Sequence, residues 1–170
     1  PPHAPLLRRP SRRASPAKAP RTTPARVAPH LPTAPHVALS VEGDMTEASR
    51  MREKLMDSVV KRTGKRLTFT AILVRCVAQV LRQHPDVNAS FMDGAIEQWE
   101  DVNLGVAMSL KQGLMVPVIR NADKKTLVEI TSALGELEAR SKEMKFRQEE
   151  LSGGTFTISN LGMFGISEFT

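Results

Sequence analysis

The sequence has one cysteine, Cys76, and four histidines scattered along its 170 residues. A single cysteine excludes a disulfide bond within this chain and indicates a reducing compartment. No histidine is followed by a second metal ligand three or four positions later, so the sequence predicts no metal site. Apolar runs also fall short of the about 18 residues that a transmembrane helix needs, so no membrane partner is predicted.

Acidic residues are absent from positions 1–36, which hold seven of the 24 Lys and Arg and ten of the twelve Pro. Residues 37–170 contain 17 basic and 18 acidic residues, so the net charge of +6 comes from positions 1–36. The segment has no aromatic residue for base stacking, and no nucleic-acid partner is predicted. We therefore expect a Pro/Ala/Arg-rich disordered linker over residues 1–35, joined to a preceding domain, and a folded domain over residues 36–170.

Hydrophobic spacing beyond the linker predicts the order β-α-α-β-β-β-β-α-β, which is typical of an α+β sandwich with helices covering one sheet. The second helix is expected to begin at Thr68 or Thr70. Its predicted buried face consists of Ile72, Leu73, Cys76, Val77, Val80 and Leu81. Pro117 indicates an edge strand or a bulge. The helices are predicted at 47–63, 68–84 and 126–144, with Thr46 as the cap of the first. The first strand is predicted at 37–44, with Val37, Leu39 and Val41 pointing inward. The other strands are predicted at 89–92, 96–99, 102–108, 114–119 and 155–159, with Asp93-Gly94 as a hairpin turn.

The last predicted strand delivers a serine, Ser159, into a glycine-rich turn. Phe156 and Ile158 alternate with Thr155, Thr157 and Ser159, so one face is apolar and the other carries hydroxyl groups. This pattern suits a serine that donates a hydrogen bond into a site, and an edge strand with an ordinary turn is the alternative. Ser159 lacks the G-x-S-x-G context and a following histidine, so it is a poor candidate for a nucleophile.

Two other sets of residues carry weaker signals. Asp123, Lys124 and Lys125 precede the long helix, where the helix dipole and two cations could attract a phosphate, or where they simply form a solvated helix start. His36 opens the first predicted strand and could act in chemistry, although a histidine at that place more often packs or caps.

Five ordered motifs resemble the catalytic domain of the dihydrolipoamide acyltransferases, the core components of 2-oxo acid dehydrogenase complexes. The resemblance covers about residues 34–170, and the proline-rich segment is similar to that family's interdomain linker. The motifs are Ala34-Pro35-His36, Val87-Asn88-Ala89-Ser90, Val102-x-Leu104-Gly105-Val106-Ala107, Gly113-Leu114-x-Val116-Pro117-Val118-Ile119-Arg120-x-Ala122-Asp123 and Gly153-Gly154-Thr155-Phe156-Thr157-Ile158-Ser159-Asn160-Leu161-Gly162.

The resemblance implies a chloramphenicol-acetyltransferase-like fold that forms homotrimers, which build a larger hollow core. It implies transfer of an acyl group between dihydrolipoyl-lysine and coenzyme A, with the lipoyl group on a domain outside this chain. The serine motif is most similar to that of family members that transfer acetyl. Decarboxylase and dihydrolipoamide dehydrogenase components are the implied partners, in the bacterial cytoplasm or the mitochondrial matrix. Ser159 matches the hydroxyl that stabilises the oxyanion; the cofactor-binding residues stay unassigned.

The chain departs from the family in one respect that matters for catalysis. The family's histidine base lies in a later H-x-x-x-D-G motif, and no histidine follows His84 here. The family builds its active site between two subunits, so the chain is expected to supply the serine half of the site and to be inactive alone. A non-catalytic core subunit of the same complexes is the alternative, and a piece that does not fold by itself is a third.

Overall fold

The computed structural model describes residues 10–14, 37–92, 95–110, 113–143, 146–162 and 165–166. His36 and the predicted Asp93-Gly94 turn lie outside these residues. The first helix, α1, is Thr46–Thr63, the second, α2, is Phe69–Gln83, and the third, α3, is Leu127–Glu143. The strands are β1 Pro10–Ala14, β2 Ala89–Met92, β3 Ala95–Trp99, β4 Leu104–Val106, β5 Met108–Leu110, β6 Gly113–Met115, β7 Val118–Ile119 and β8 Phe156–Ile158.

The helix ends follow local chemistry. Gly64 ends α1 in the left-handed conformation, at φ 66°, as expected for a glycine C-cap. Thr68 is the N-cap of α2, and its side chain accepts a hydrogen bond from the Ala71 N–H. Thr46 is the first residue of α1 rather than its cap, because the Asp44 carboxylate accepts the Thr46 N–H at 2.8 Å. The predicted cap there is therefore wrong.

The described strands form three small sheets, ordered β1-β3-β2, β7-β4-β8 and β5-β6. In the second sheet β4 pairs antiparallel with β7 and parallel with β8, so this sheet is mixed. The parallel pair is joined through α3, since parallel strands need a long crossover connection. Pro117 interrupts the chain between β6 and the edge strand β7, and its carbonyl accepts the Val106 N–H at 2.9 Å. Pro117 itself lies in neither strand, and the single strand predicted at 114–119 is divided there into β6 and β7.

The core lies between the three helices and the β7-β4-β8 sheet. Leu67, Val74, Leu104 and Ile130 are fully buried, and Phe156 and Ile158 of β8 pack against the same cluster. This arrangement confirms the α+β class with a mixed sheet covered by helices.

The predicted strand at 37–44 is absent. Val37, Leu39 and Val41 are 82%, 89% and 93% exposed, and no strand of the described residues pairs with this segment. Apolar residues do alternate in this segment, but a strand also requires a neighbouring strand that satisfies its backbone N–H and C=O groups. The inward placement of these three side chains is therefore wrong.

The predicted buried face of α2 is partly wrong. Cys76 is exposed and Val80 is 50% exposed. The predicted Ile72 and Leu81 are buried, and the face toward the core also includes Ala71, Val74 and Ala78, each fully buried. Alanines carry little hydrophobic signal in a sequence pattern, yet their small side chains let a helix approach its neighbours closely.

One described strand falls inside the predicted linker. Pro10–Ala14 pairs antiparallel with β3, opposite residues 96–99. For these five residues the backbone is extended, as expected of a Pro-rich segment, but it is also paired, which was not expected.

Candidate active site

Ser159 directly follows β8, at the carboxyl end of this strand. Phe156 and Ile158 are half-buried against the core, and Thr157 and Ser159 are exposed. The predicted alternation of an apolar and a hydroxyl-bearing face is thus confirmed for these residues. Ser159 therefore presents its hydroxyl to the outside at the end of a strand held by the core.

The backbone on both sides of Ser159 is held by hydrogen bonds. The Ile158 carbonyl accepts the Ala107 N–H at 2.9 Å, beyond the last ladder pair of β4 and β8. On the other side, the Asn160 side chain donates to Thr70 Oγ1 at 3.3 Å and accepts the Gly162 N–H at 3.1 Å. The serine is thus attached to β4 through one neighbour and to the first turn of α2 through the other.

Gly105 allows β8 to lie close to β4. A Cβ atom at this position would be 2.8 Å from Val116 Cγ1, 3.2 Å from Thr157 Oγ1 and 3.6 Å from the Phe156 carbonyl oxygen. The first of these distances is shorter than van der Waals contact permits. The close approach of Val116 to β4 therefore favours glycine here, and Thr157 of β8 adds a second, less severe contact.

A buried asparagine, Asn103, fixes the start of β8. Its carbonyl accepts the Thr155 N–H at 2.8 Å, and its own N–H donates to Thr155 Oγ1 at 3.1 Å. Its side-chain oxygen accepts the Asn121 N–H at 2.9 Å, where Asn121 has a positive φ of 49°. Asn103 therefore joins the turn after β7, through its side chain, to the start of the strand before Ser159, through its backbone.

Arg120 holds the glycine-rich approach to β8. Its guanidinium donates to the carbonyls of Glu149 and Ser152 at 2.8 and 3.2 Å. Gly153, which follows, has φ 77° and packs against the same guanidinium. Sequence reasoning missed the roles of Asn103 and Arg120; both lie within or beside the motifs, but only the tertiary contacts show what they hold.

His84 cannot act as a base for Ser159 within one chain. It is the C-cap of α2, whereas Thr70, which contacts the residue after Ser159, lies in the first turn of this helix. Fourteen residues at 1.5 Å per residue separate the two by about 21 Å along the helix axis. The structure thus brings a hydroxyl donor to the site, and no histidine of the described residues comes near it.

The second candidate set, Asp123, Lys124 and Lys125, does not form an anion site. The helix α3 begins after these residues, and its first turn is closed by Thr126 and Glu129: the Glu129 carboxylate accepts the Thr126 N–H at 2.7 Å. This hydrogen bond lowers the pKa of Glu129. Lys124 contacts Asn121 Oδ1 at 3.0 Å and Asp101 Oδ1 at 3.6 Å. A carboxylate therefore occupies the place that a phosphate would take.

The larger cleft, of about 300 Å³, lies away from Ser159, between α3, β7 and the 3-10 helix Gln148–Leu151. Its charged side chains largely pair with one another, since Arg140 contacts both Glu136 and Glu150. Within the described residues no group of three or more His, Cys, Asp or Glu could hold a metal ion. In the same residues, no helix has the length and apolar character for crossing a bilayer.

Comparison with known proteins agrees with this architecture. The solved dihydrolipoamide acetyltransferase of Azotobacter vinelandii, studied for the catalytic roles of a serine, a histidine and an asparagine, superposes with a TM-score of 0.71 at 33% identity and covers 75% of this chain and 53% of its own. The cubic core of the pyruvate dehydrogenase multienzyme complex gives 0.71 at 34%, with the same two coverages. These neighbours have a chloramphenicol-acetyltransferase-like catalytic-domain fold.

Curated relatives give the same result. The chain is 37% identical over 137 residues to the acetyltransferase component of the pyruvate dehydrogenase complex of Rickettsia bellii, covering 81% of this chain and 33% of the relative. It is 37% identical over 131 residues to the lipoamide acyltransferase of the branched-chain alpha-keto acid dehydrogenase complex of Bacillus subtilis, covering 77% and 31%. The chain spans about a third of the length of these relatives.

The fold and these relatives thus define the chain as part of a catalytic domain of the acyltransferase class. A profile of the 2-oxoacid dehydrogenases acyltransferase (catalytic domain) family matches residues 12–170. The chain belongs to this family.

Proposed function

We propose that this chain forms part of an acyltransferase that moves an acetyl group between dihydrolipoyl-lysine and coenzyme A in a 2-oxo acid dehydrogenase complex. The observation that carries the proposal is the placement of Ser159. It is an exposed residue at the end of β8, its neighbours are held by β4 and α2, and no histidine among the described residues lies beside it. A hydroxyl in this setting donates a hydrogen bond and needs no activation.

The reaction fits such a donor. A base removes the proton of the attacking thiol, because a thiol has only a few per cent thiolate at neutral pH. The thiolate sulfur then forms a bond to the thioester carbonyl carbon, and the carbonyl oxygen becomes an oxyanion. Ser159 donates a hydrogen bond to this oxygen and keeps its proton. The intermediate then collapses: the carbon–sulfur bond to the second thiol breaks, and the leaving thiolate takes the proton back from the base. The base is a histidine outside these 170 residues, supplied by a neighbouring subunit.

The assembly and its setting are part of the same proposal. A homotrimer joins the serine of one subunit to the histidine of the next, and trimers build a core that binds the decarboxylase and dihydrolipoamide dehydrogenase components. The lipoyl group arrives on a domain connected through residues 1–35, and residues 36–170 form the N-terminal part of the catalytic domain. The compartment is the bacterial cytoplasm or the mitochondrial matrix. The solved cubic core of a related complex supports the assembly.

Substitution of the serine in the full-length protein tests the proposal. Ser159→Ala is expected to lower kcat by roughly 10²–10³ with little change in KM, because the lost hydrogen bond exists mainly in the transition state. Ser58→Ala is the matched control, since Ser58 is an exposed residue of α1.

The measurement is the rate of acetyl transfer from acetyl-coenzyme A to dihydrolipoamide. An unchanged rate in Ser159→Ala would remove the role assigned to Ser159. A full-length protein that assembles into its core but has no transferase activity would instead identify it as a non-catalytic core subunit.

A further inference from the structure

One side-chain contact joins two parts of the chain that are 90 residues apart, next to Ser159. Asn160 Nδ2 donates to Thr70 Oγ1 at 3.3 Å, and both residues are half-buried. The same Asn160 side chain accepts the Gly162 N–H through Oδ1 at 3.1 Å, which closes the turn after the serine. Asn160 therefore uses its donor and its acceptor at once, one toward α2 and one toward its own turn.

Thr70 offers a rigid attachment point for that turn. It lies in the first turn of α2, directly after the Thr68 cap that accepts the Ala71 N–H at 3.1 Å. Ala71 and Val74, which follow it, are fully buried. The Thr70 hydroxyl is thus carried by a capped helix end that the core holds in place.

We propose that Asn160 and Thr70 are positioning residues for the Ser159 hydroxyl. This inference rests on the proposed function, in which Ser159 donates to an oxyanion. Such a donor must lie about 2.7–3.1 Å from the oxygen, and a misplacement of about 1 Å can reduce the rate about 100-fold. The hydrogen bond from the Ala107 N–H to the Ile158 carbonyl already holds the residue before the serine. The contact between Asn160 and Thr70 holds the residue after it, so the serine is restrained from both sides.

The role of the hydroxyl of Thr70 distinguishes this proposal from simple packing. Thr70→Val keeps the shape of the side chain and removes the acceptor of the Asn160 N–H. Thr70→Ser keeps the acceptor and removes only a methyl group. A positioning role predicts different activities for the two variants, whereas a packing role predicts that the valine is tolerated at least as well as the serine.

The experiment measures kcat and KM for acetyl transfer in the full-length protein. Thr70→Val is expected to lower kcat about 10-fold with KM changed less than about twofold, and Thr70→Ser is expected to recover most of that loss. Asn160→Ala is expected to lower kcat at least as much as Thr70→Val, because it removes both hydrogen bonds. Thr131→Val is the matched control: the Thr131 hydroxyl donates to the Leu127 carbonyl within α3, away from the serine turn.

A double-substitution cycle shows whether Thr70 acts through Ser159. In the Ser159→Ala background, Thr70→Val is expected to change kcat less than about twofold, because the hydroxyl to be positioned is already gone. A loss of about 10-fold in both backgrounds, or equal activity of Thr70→Val and Thr70→Ser, would overturn the positioning role. If Ser159→Ala itself has full activity, the proposed function fails. If Ser159→Ala is impaired but the Thr70 variants give one of the two contrary results, only the positioning role fails.

Discussion

Placing a methyl group at Gly105 should disturb the strand that carries Ser159. The added Cβ of Gly105→Ala would lie 2.8 Å from Val116 Cγ1 and 3.2 Å from Thr157 Oγ1. Val116 is β-branched, so rotation gives it little room, and Thr157 lies on β8 itself. Relief therefore requires Val116 to move away from β4 and Thr157 to shift by a few tenths of an ångström.

The expected cost is about 1–3 kcal/mol in the free energy of unfolding, the usual range for overpacking by a methyl group. Urea denaturation followed by tryptophan fluorescence measures it, because the chain has one tryptophan, Trp99, and this residue is buried. A cooperative transition of the unmodified chain is the starting requirement, and its absence would support the alternative that this piece does not fold alone.

Gly43→Ala is the matched control for this substitution. A Cβ at Gly43 meets no atom within 4 Å, and Gly43 lies in the exposed segment before α1. We expect its free energy of unfolding to change by less than about 0.5 kcal/mol. If Gly105→Ala loses no more stability than Gly43→Ala, the argument that β4 and β8 need a glycine at this contact is refuted.

Two further outcomes concern the helix ends. Gly64→Ala is expected to destabilise the protein by about 1 kcal/mol in the same urea titration. Gly64 has φ 66° and an added Cβ would meet no atom within 4 Å, so backbone strain is the source of the loss. Equal stability of the variant would contradict the left-handed cap. The pKa of Glu129 is lowered by the hydrogen bond from the Thr126 N–H, so its stabilising contribution is present at neutral pH and is lost as the pH falls through the lowered pKa. Glu129→Gln should therefore flatten the pH dependence of the melting temperature in this acidic range, and an unchanged profile would remove Glu129 as its source.

Much of the secondary structure could be predicted because its signals are local. Thr68 caps α2 through its own side chain, and Gly64 ends α1 through its own backbone conformation. The hairpin of β2 and β3 and the alternation in β8 likewise depend on residues a few positions apart. These features follow from chemistry that operates within one turn or one strand.

The errors arose where pairing or packing decides. The segment with Val37, Leu39 and Val41 has the alternation of a strand but no partner among the described residues. In α2 the face that meets the core includes Ala71 and Ala78, whereas the hydrophobic pattern extends the buried face to Val80 and Cys76, which are exposed. A periodic pattern shows that a helix has an apolar side, but the neighbouring elements select which part of it is covered.

That a serine follows an alternating strand and precedes a glycine-rich turn can be read from neighbouring residues alone, because alternation and glycine act locally. The parallel pairing of this strand with β4, and the hydrogen bond from Asn160 to Thr70 across 90 positions, depend on the folded chain. Contacts of this kind depend on the crossover through α3, which brings distant segments together. The serine is thus encoded locally, while the geometry around it is a property of the packed fold.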